Sequence, residues 1–95
     1  MTRQKTERSE YKAKFTRQGD KDYEFWQKHN RNVVRRIDEF IEDMEEHPFD
    51  GKGKPEPLKE NLQGYWSRRI TDKHRITYIV KGNLIIIARC RGHYE

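Results

Sequence analysis

Two stretches of the chain carry side chains suited to acid–base chemistry on a phosphate. The first is Pro48 to Lys59, PFDGKGKPEPLK, in which Glu56 stands between Pro55 and Pro57. The prolines restrict the backbone on both sides, and a carboxylate on a stiff segment suits a positioned base. Taken by itself, Glu56 reads equally as an ordinary exposed loop glutamate. The second stretch is Cys90-Arg91-Gly92-His93-Tyr94. His93 is its candidate acid, although a histidine so near a terminus also reads, unaided, as part of a frayed tail.

Arginines lie between these two stretches. If Thr71–Lys73 is a three-residue loop, Ile70 faces His74, Arg69 faces Arg75 and Trp66 faces Tyr78 across a hairpin. Trp66, Ile70, Ile76, Tyr78 and Val80 then form the core side, with Tyr65, Ser67, Arg69, Arg75 and Thr77 on the other. A two-residue turn would break this pairing. Two arginines directly opposite each other destabilise a sheet, unless an anion or carboxylate bridges them. A phosphate would do so through charge-assisted fork contacts.

No competing constellation is present. Four histidines and the single Cys90 give no tetrahedral zinc spacing. Gly51-Lys52-Gly53-Lys54 lacks the spacing of a phosphate loop, and Ser67 has no nucleophile elbow around it. A mechanism without metal or cofactor is expected.

The elements that must position these groups are legible from periodicity. Tyr11 to Phe15 alternates as a short strand does. Thr16 to His29 reads as a modest amphipathic helix with Thr16 as N-cap. Val33, Val34, Ile37, Phe40, Ile41 and Met44 form one helical stripe, capped by Asn30 and stopped by Pro48. Its opposite side, Asp38, Glu39, Glu42, Asp43, Glu45 and Glu46, reads as a solvated face. It crowds the helix C-terminus, where the dipole disfavours negative charge. Residues 48–61 hold three Pro and two Gly and read as an irregular loop. Gly64–Ile70, Arg75–Val80 and Leu84–Ala88 read as strands, the last two joined by a Gly82-Asn83 turn. The expectation is an α+β fold in β-α-α-β-β-β order, with two N-terminal helices packed on one face of a mainly antiparallel sheet.

Composition bounds the setting. With 95 residues the chain makes one domain, residues 11–95, preceded by a polar segment, residues 1–10, that reads as a disordered extension or expression remnant. The hydrophobic fraction of 32% implies a small core. Residues 1–51 carry 11 Lys and Arg against 12 Asp and Glu, whereas residues 52–95 carry 10 against 4. The whole net charge of +5 therefore comes from the second half, and a one-sided basic surface attracts polyanions. A merely solvated basic face is the plainer alternative. One cysteine fits a reduced compartment. There is neither a signal-peptide stretch nor a run of about 20 apolar residues, so a cytoplasmic protein that does not enter membranes is expected.

The stretch PFDGKGKPEPLKENLQGYWSRRITDKHRITYIV, followed by ARCRGHY, closely resembles the YoeB type of messenger-RNA interferase toxin within the RelE/ParE toxin superfamily. DYEFWQ and the Val33–Met44 helix fit the same pattern, so the resemblance spans Phe15 to Tyr94. It implies a toxin of a toxin–antitoxin system that inhibits translation by cutting messenger RNA in the ribosomal A site of the small subunit. By resemblance, Glu56 is the general base, Arg75 stabilises the transition state, His93 is the general acid, and Tyr94 orients the substrate. Lys59 and Arg69 match basic positions that hold RNA phosphates, and Lys52 and Lys54 are expected to bind substrate beside them. The implied partners are a YefM-like antitoxin, DNA through the toxin–antitoxin complex alone, and a second copy of the chain. The alternative is a non-catalytic basic binding module, either an antitoxin and DNA-complex partner or a gyrase-directed ParE-like toxin. Glu95 departs from the family pattern by adding a negative charge beside His93.

Overall fold

A computed structural model describes residues 10–92. Strand β1 (Lys12–Phe15) is followed by helices α1 (Arg17–His29) and α2 (Arg31–Glu46). Then come β2 (Glu56–Pro57), a 3₁₀ turn (Glu60–Leu62), β3 (Tyr65–Arg69), β4 (Arg75–Lys81) and β5 (Leu84–Arg89). The strands form one sheet in the order β1-β5-β4-β3-β2. β1 runs parallel to β5, and every other pairing is antiparallel. The α+β class and the element order agree with the sequence. The addition is β2, two residues inside the segment read as irregular, because a strand so short and so rich in proline leaves no alternating pattern to detect.

Both helices start at side-chain caps. Thr16 Oγ1 accepts from Gly19 N at 3.0 Å and donates to the Ala88 carbonyl at 3.0 Å, so the same hydroxyl caps α1 and ties it to β5. Asn30 Oδ1 accepts from Asn32 N and Val33 N at the start of α2. Each cap satisfies backbone donors that a helix start leaves without partners.

The core lies between the helices and one sheet face. Trp26, Val33, Ile37, Phe40 and Met44 pack on Ile70, Ile76, Tyr78, Ile85, Ile87 and Cys90, all buried. Trp66 and Val80 join this face partly buried, so the expected core side of β3 and β4 holds. Gly19 lets α1 approach β5 closely: a Cβ there would stand 2.5 Å from the Ile87 carbonyl oxygen.

The acidic side of α2 is less idle than a solvated face. Glu45 Oε2 accepts from Ala13 N at 2.8 Å, occupying a donor of the edge strand β1. Asp38 accepts from the Tyr23 hydroxyl at 2.6 Å. Burial and this carboxylate together push the Tyr23 phenol up to about 12. Asp43 turns inward, as described below.

Candidate active-site face

The hairpin register places the arginines. β3 and β4 pair Arg69 with Arg75, Ser67 with Thr77 and Trp66 with Tyr78. Ile70 N and Thr71 N both donate to the His74 carbonyl, and Thr71 Oγ1 accepts from Lys73 N and His74 N, so the turn is the three-residue loop. Residues directly opposite in antiparallel strands share a face. Arg69 and Arg75 therefore stand side by side on the face away from the helices.

Glu56 joins that face from β2, where it lies opposite Ser67. Thr77 in turn lies opposite Arg89. Glu56, Ser67, Thr77 and Arg89 thus form one row across four strands, and Arg69 with Arg75 form the next row toward the hairpin turn. Strand and residue spacings separate the Glu56 and Arg75 backbones by roughly 12 Å, a gap that a carboxylate, a phosphodiester and a guanidinium together fill. Glu56 and Arg69 are exposed, and Arg75 is half-buried. Ser67 and Thr77 lie on this side as expected and are buried within it. Their short side chains sit low between longer neighbours. Ser67 Oγ has no hydrogen-bond partner among the described residues.

The basic positions flank Glu56 on both sides. Arg69 N donates to the Gly53 carbonyl at 2.8 Å, which brings exposed Lys52 and Lys54 to the arginine end. Leu58 N donates to the Tyr65 carbonyl at 2.9 Å, which carries exposed Lys59 past the opposite end of β3. Lys59 and Arg69 are therefore not neighbours; they stand on opposite sides of the Glu56 row, about 15 Å apart along β3.

The C-terminal segment is held as far as the described residues extend. Cys90 N donates to Asp22 Oδ2 at 3.0 Å, and the Cys90 carbonyl accepts from Trp26 Nε1 at 2.8 Å. The Arg91 guanidinium lies 3.6 Å above the Phe25 ring centre. Gly92 N donates to His74 Nδ1 at 2.9 Å, and its carbonyl accepts from Arg75 N at 3.0 Å. A pocket of about 400 Å³, lined by Gln18, Asp22, Arg89, Arg91 and Gly92, opens beside this end. His93, Tyr94 and Glu95 lie outside the described residues. The Cys90 thiol faces the core, where burial and the Asp22 charge push it up to about 12, so it is no nucleophile.

Asp22, His74 and Arg68 were not singled out from the sequence, and all three prove structural to this face. Arg68 left one signal: strand alternation puts it on the core side with Trp66 and Ile70. It is fully buried, and its guanidinium uses every donor. Nε meets the Tyr78 hydroxyl at 3.1 Å. Nη1 donates to Asp43 Oδ2 at 2.7 Å and to the Lys52 carbonyl at 3.1 Å. Nη2 donates to the carbonyls of His47, at 2.6 Å, and Asp50, at 2.9 Å. The Tyr78 hydroxyl donates to the Pro48 carbonyl at 2.8 Å. This cation also answers the crowding of acids at the C-terminus of α2.

Burial alone would raise the Asp43 carboxyl, but hydrogen bonds from Arg68 and Lys52 N, with the nearby positive charges of Arg68 and His47, outweigh it. The group is held below its ordinary value of 3.8. A depressed carboxyl contributes stability that is complete above its unfolded value and disappears as pH falls through the folded one. The stability gap between the native chain and Asp43→Asn, measured by urea unfolding, is therefore expected to be constant from pH 7 to about 5 and to shrink below about 4. A gap independent of pH would refute this.

Among the described residues no group of three or more His, Cys, Asp or Glu is placed to hold a metal ion. No described helix is long and apolar enough to cross a membrane.

Comparison with known proteins converges on one family. Residues 15–94 match the family model of the YoeB-like toxin of bacterial type II toxin–antitoxin systems. Toxin YoeB of Escherichia coli K12 is 53% identical over 73 residues, which are 77% of this chain and 87% of that protein. A YoeB dimer from Staphylococcus aureus superposes with a TM-score of 0.82 at 40% identity, covering 90% of this chain and 99% of the other. A YoeB–YefM complex from the same organism gives 0.81 at 41% identity, covering 88% and 98%. With helices, sheet and the Glu56–Arg75 face in place, these matches over nearly the whole described chain lead to one conclusion: it belongs to the YoeB-like toxins of bacterial type II toxin–antitoxin systems.

Proposed function

We infer that this toxin is a ribosome-dependent endoribonuclease that cuts messenger RNA in the A site and so stops translation. The observation that carries the reading is the shared face on which Glu56, Arg69 and Arg75 stand, with Gly92 fastened to the Arg75 amide. Gly92 is the residue that precedes His93 in the chain. In the proposed reaction the Glu56 carboxylate takes the proton of a ribose 2′-hydroxyl, and O2′ attacks the adjacent phosphorus. Arg75 and Arg69 meet the charge that builds on the phosphoryl oxygens. The bond from phosphorus to O5′ breaks as His93 gives O5′ a proton, while Tyr94 orients the substrate. The products are a 2′,3′-cyclic phosphate and a 5′-hydroxyl. Each step is a proton or phosphoryl movement between these groups and the RNA, with no metal or cofactor. Lys52, Lys54 and Lys59 extend the phosphate track to either side of Glu56.

The same face suits an antitoxin of the YefM kind, whose acidic segment would pair with Arg69, Arg75 and Lys59 and exclude RNA. The complex and the dimer seen among the relatives support such a partner and a second copy here. DNA binding would belong to the toxin–antitoxin complex, and the site of action is the cytoplasm, where ribosomes are.

The test is purified protein with ribosomes programmed with a defined messenger. Cleavage within the A-site codon, leaving a cyclic phosphate, is expected, and Arg75→Ala should lower its rate by about 10²–10³. DNA supercoiling by gyrase should be unaffected. Intact messenger beside blocked gyrase would overturn the ribonuclease reading in favour of a gyrase-directed toxin.

A further inference from the structure

We propose that Arg68, locked to Asp43, is the positioning residue for the base: it sets where Glu56 stands by holding the backbone that leads to it. The inference deepens the ribonuclease reading and rests on it.

Strand β2 cannot hold itself in place. It is two residues long, and Pro55 and Pro57 have no N–H to give to a ladder. The segment from the end of α2 to Glu56 is instead gathered from beneath. The Arg68 guanidinium donates to the carbonyls of His47, Asp50 and Lys52, and the Tyr78 hydroxyl donates to that of Pro48. Asp43 closes the assembly by accepting from both Arg68 and Lys52 N. Packing above is equally tight. At Gly53, where φ is +80°, a Cβ would stand 2.7 Å from Phe40 Cε2 and 3.1 Å from Arg68 Cβ.

The geometry links this assembly directly to the reacting face. Arg68 lies in β3 between Ser67, which is opposite Glu56, and Arg69, whose amide bonds the Gly53 carbonyl. One strand thus sends Arg69 up to the substrate side and Arg68 down to the scaffold. A planar fork with five donors can meet three carbonyls, a carboxylate and a phenol at once; a lysine ammonium has three donors and no fork. Arg68→Lys keeps the charge against Asp43 and loses the geometry.

The experiment is a double-mutant cycle on ribosome-dependent cleavage, run below the melting temperature of every variant. Arg68→Lys should lower kcat by about 100-fold with KM within about threefold, since small displacements of a reacting group cost on the order of 10²-fold. In a Glu56→Gln background the same change should cost less than about threefold, because the group it positions is already gone. Equal losses in both backgrounds, or full activity of Arg68→Lys, would overturn the proposal. If Arg68→Lys does not fold, Asp43→Asn, with an expected loss of about 10-fold, is judged by the same cycle. Amide hydrogen exchange supplies a readout without catalysis. Faster exchange confined to residues 49–56 supports the proposal, and unchanged exchange there overturns it. An inactive native chain with a loosened loop would instead sink the ribonuclease reading and leave Arg68 as the loop's anchor.

Discussion

Replacing Glu56 by Gln is expected to lower ribosome-dependent messenger cleavage by roughly 10²–10⁴-fold, the contribution of one positioned acid–base group. The glutamine keeps the size and the hydrogen-bonding oxygen of the side chain but cannot accept the 2′-hydroxyl proton. Glu56 is exposed, so the change should alter stability by no more than about 0.5 kcal/mol. Single-turnover cleavage on saturating ribosomes, beside thermal unfolding of the same sample, separates the two effects. A variant that still cuts at the native rate would remove Glu56 from the mechanism. Lost cleavage together with lost folding would show that the residue was misread as exposed and dispensable to the fold. His93→Gln should lose activity on a similar scale. The two substitutions together should cost less than the product of their separate losses, as groups acting in one step do.

The second large effect is on stability, with a consequence for the site. Trp26→Ala is expected to destabilise the domain by about 3–5 kcal/mol, the usual range for deleting a buried tryptophan. Trp26 is 6% exposed and belongs to the core cluster. Its ring meets Phe25 edge-on at 5.0 Å and His74 at 4.7 Å, while its Nε1 holds the Cys90 carbonyl. For a domain of this size each kcal/mol moves the melting midpoint by about 4–8 °C, so a fall on the order of 15–30 °C is expected in calorimetry. Trp26→Phe isolates the hydrogen bond. It keeps most of the ring and leaves a buried carbonyl unmet, at a cost of about 1–3 kcal/mol. Because that carbonyl belongs to the segment running into His93, cleavage by Trp26→Phe should fall at least 10-fold even well below its melting midpoint. Native-rate cleavage by this variant would show that the Cys90 anchor serves folding alone.

The two variants probe different ends of one arrangement. Glu56 stands on a short edge strand, and the chain after β5 runs beside the start of β4 as far as Gly92. Arg75 relates to both: its side chain shares the Glu56 face, and its amide donates to the Gly92 carbonyl. This explains why neither stretch reads convincingly as a site alone. A loop glutamate between prolines and a histidine near a terminus become candidates for one reaction once β4 joins the Glu56 face to the Gly92 backbone.

Much of the fold was legible because its signals are local. The stripe from Val33 to Met44 specifies a helix that is buried on one side, and the caps Thr16 and Asn30 mark where helices begin. The Arg69–Arg75 pairing was legible only on condition of a three-residue turn after Ile70, which the structure supplies, since a hairpin's register follows from its turn. The basic second half and the motif residues followed from composition and resemblance. What escaped were features whose partners lie far along the chain. Alternation puts Arg68 on the core side, but its partners, Asp43 and the carbonyls of His47, Asp50 and Lys52, meet it only in the folded chain. Asp22 gains its role only from Cys90, 68 positions later, which donates to it.

The sequence by itself determined the two helices, the longer strands and the candidate chemistry, because periodicity, turn residues and charge act within a few positions; the hairpin register it gave only on condition of a three-residue turn. Only the tertiary structure decided that Glu56 and Arg75 share a face, that a buried guanidinium gathers the loop leading to Glu56, and that the chain is fastened as far as Gly92. A buried charge or carbonyl is tolerated only when its partners are present, and here those partners come from elements that the sequence keeps apart. The segment from Pro48 to Lys59 looked like breakers and charges on paper; in the folded chain it is shaped by an arginine it surrounds.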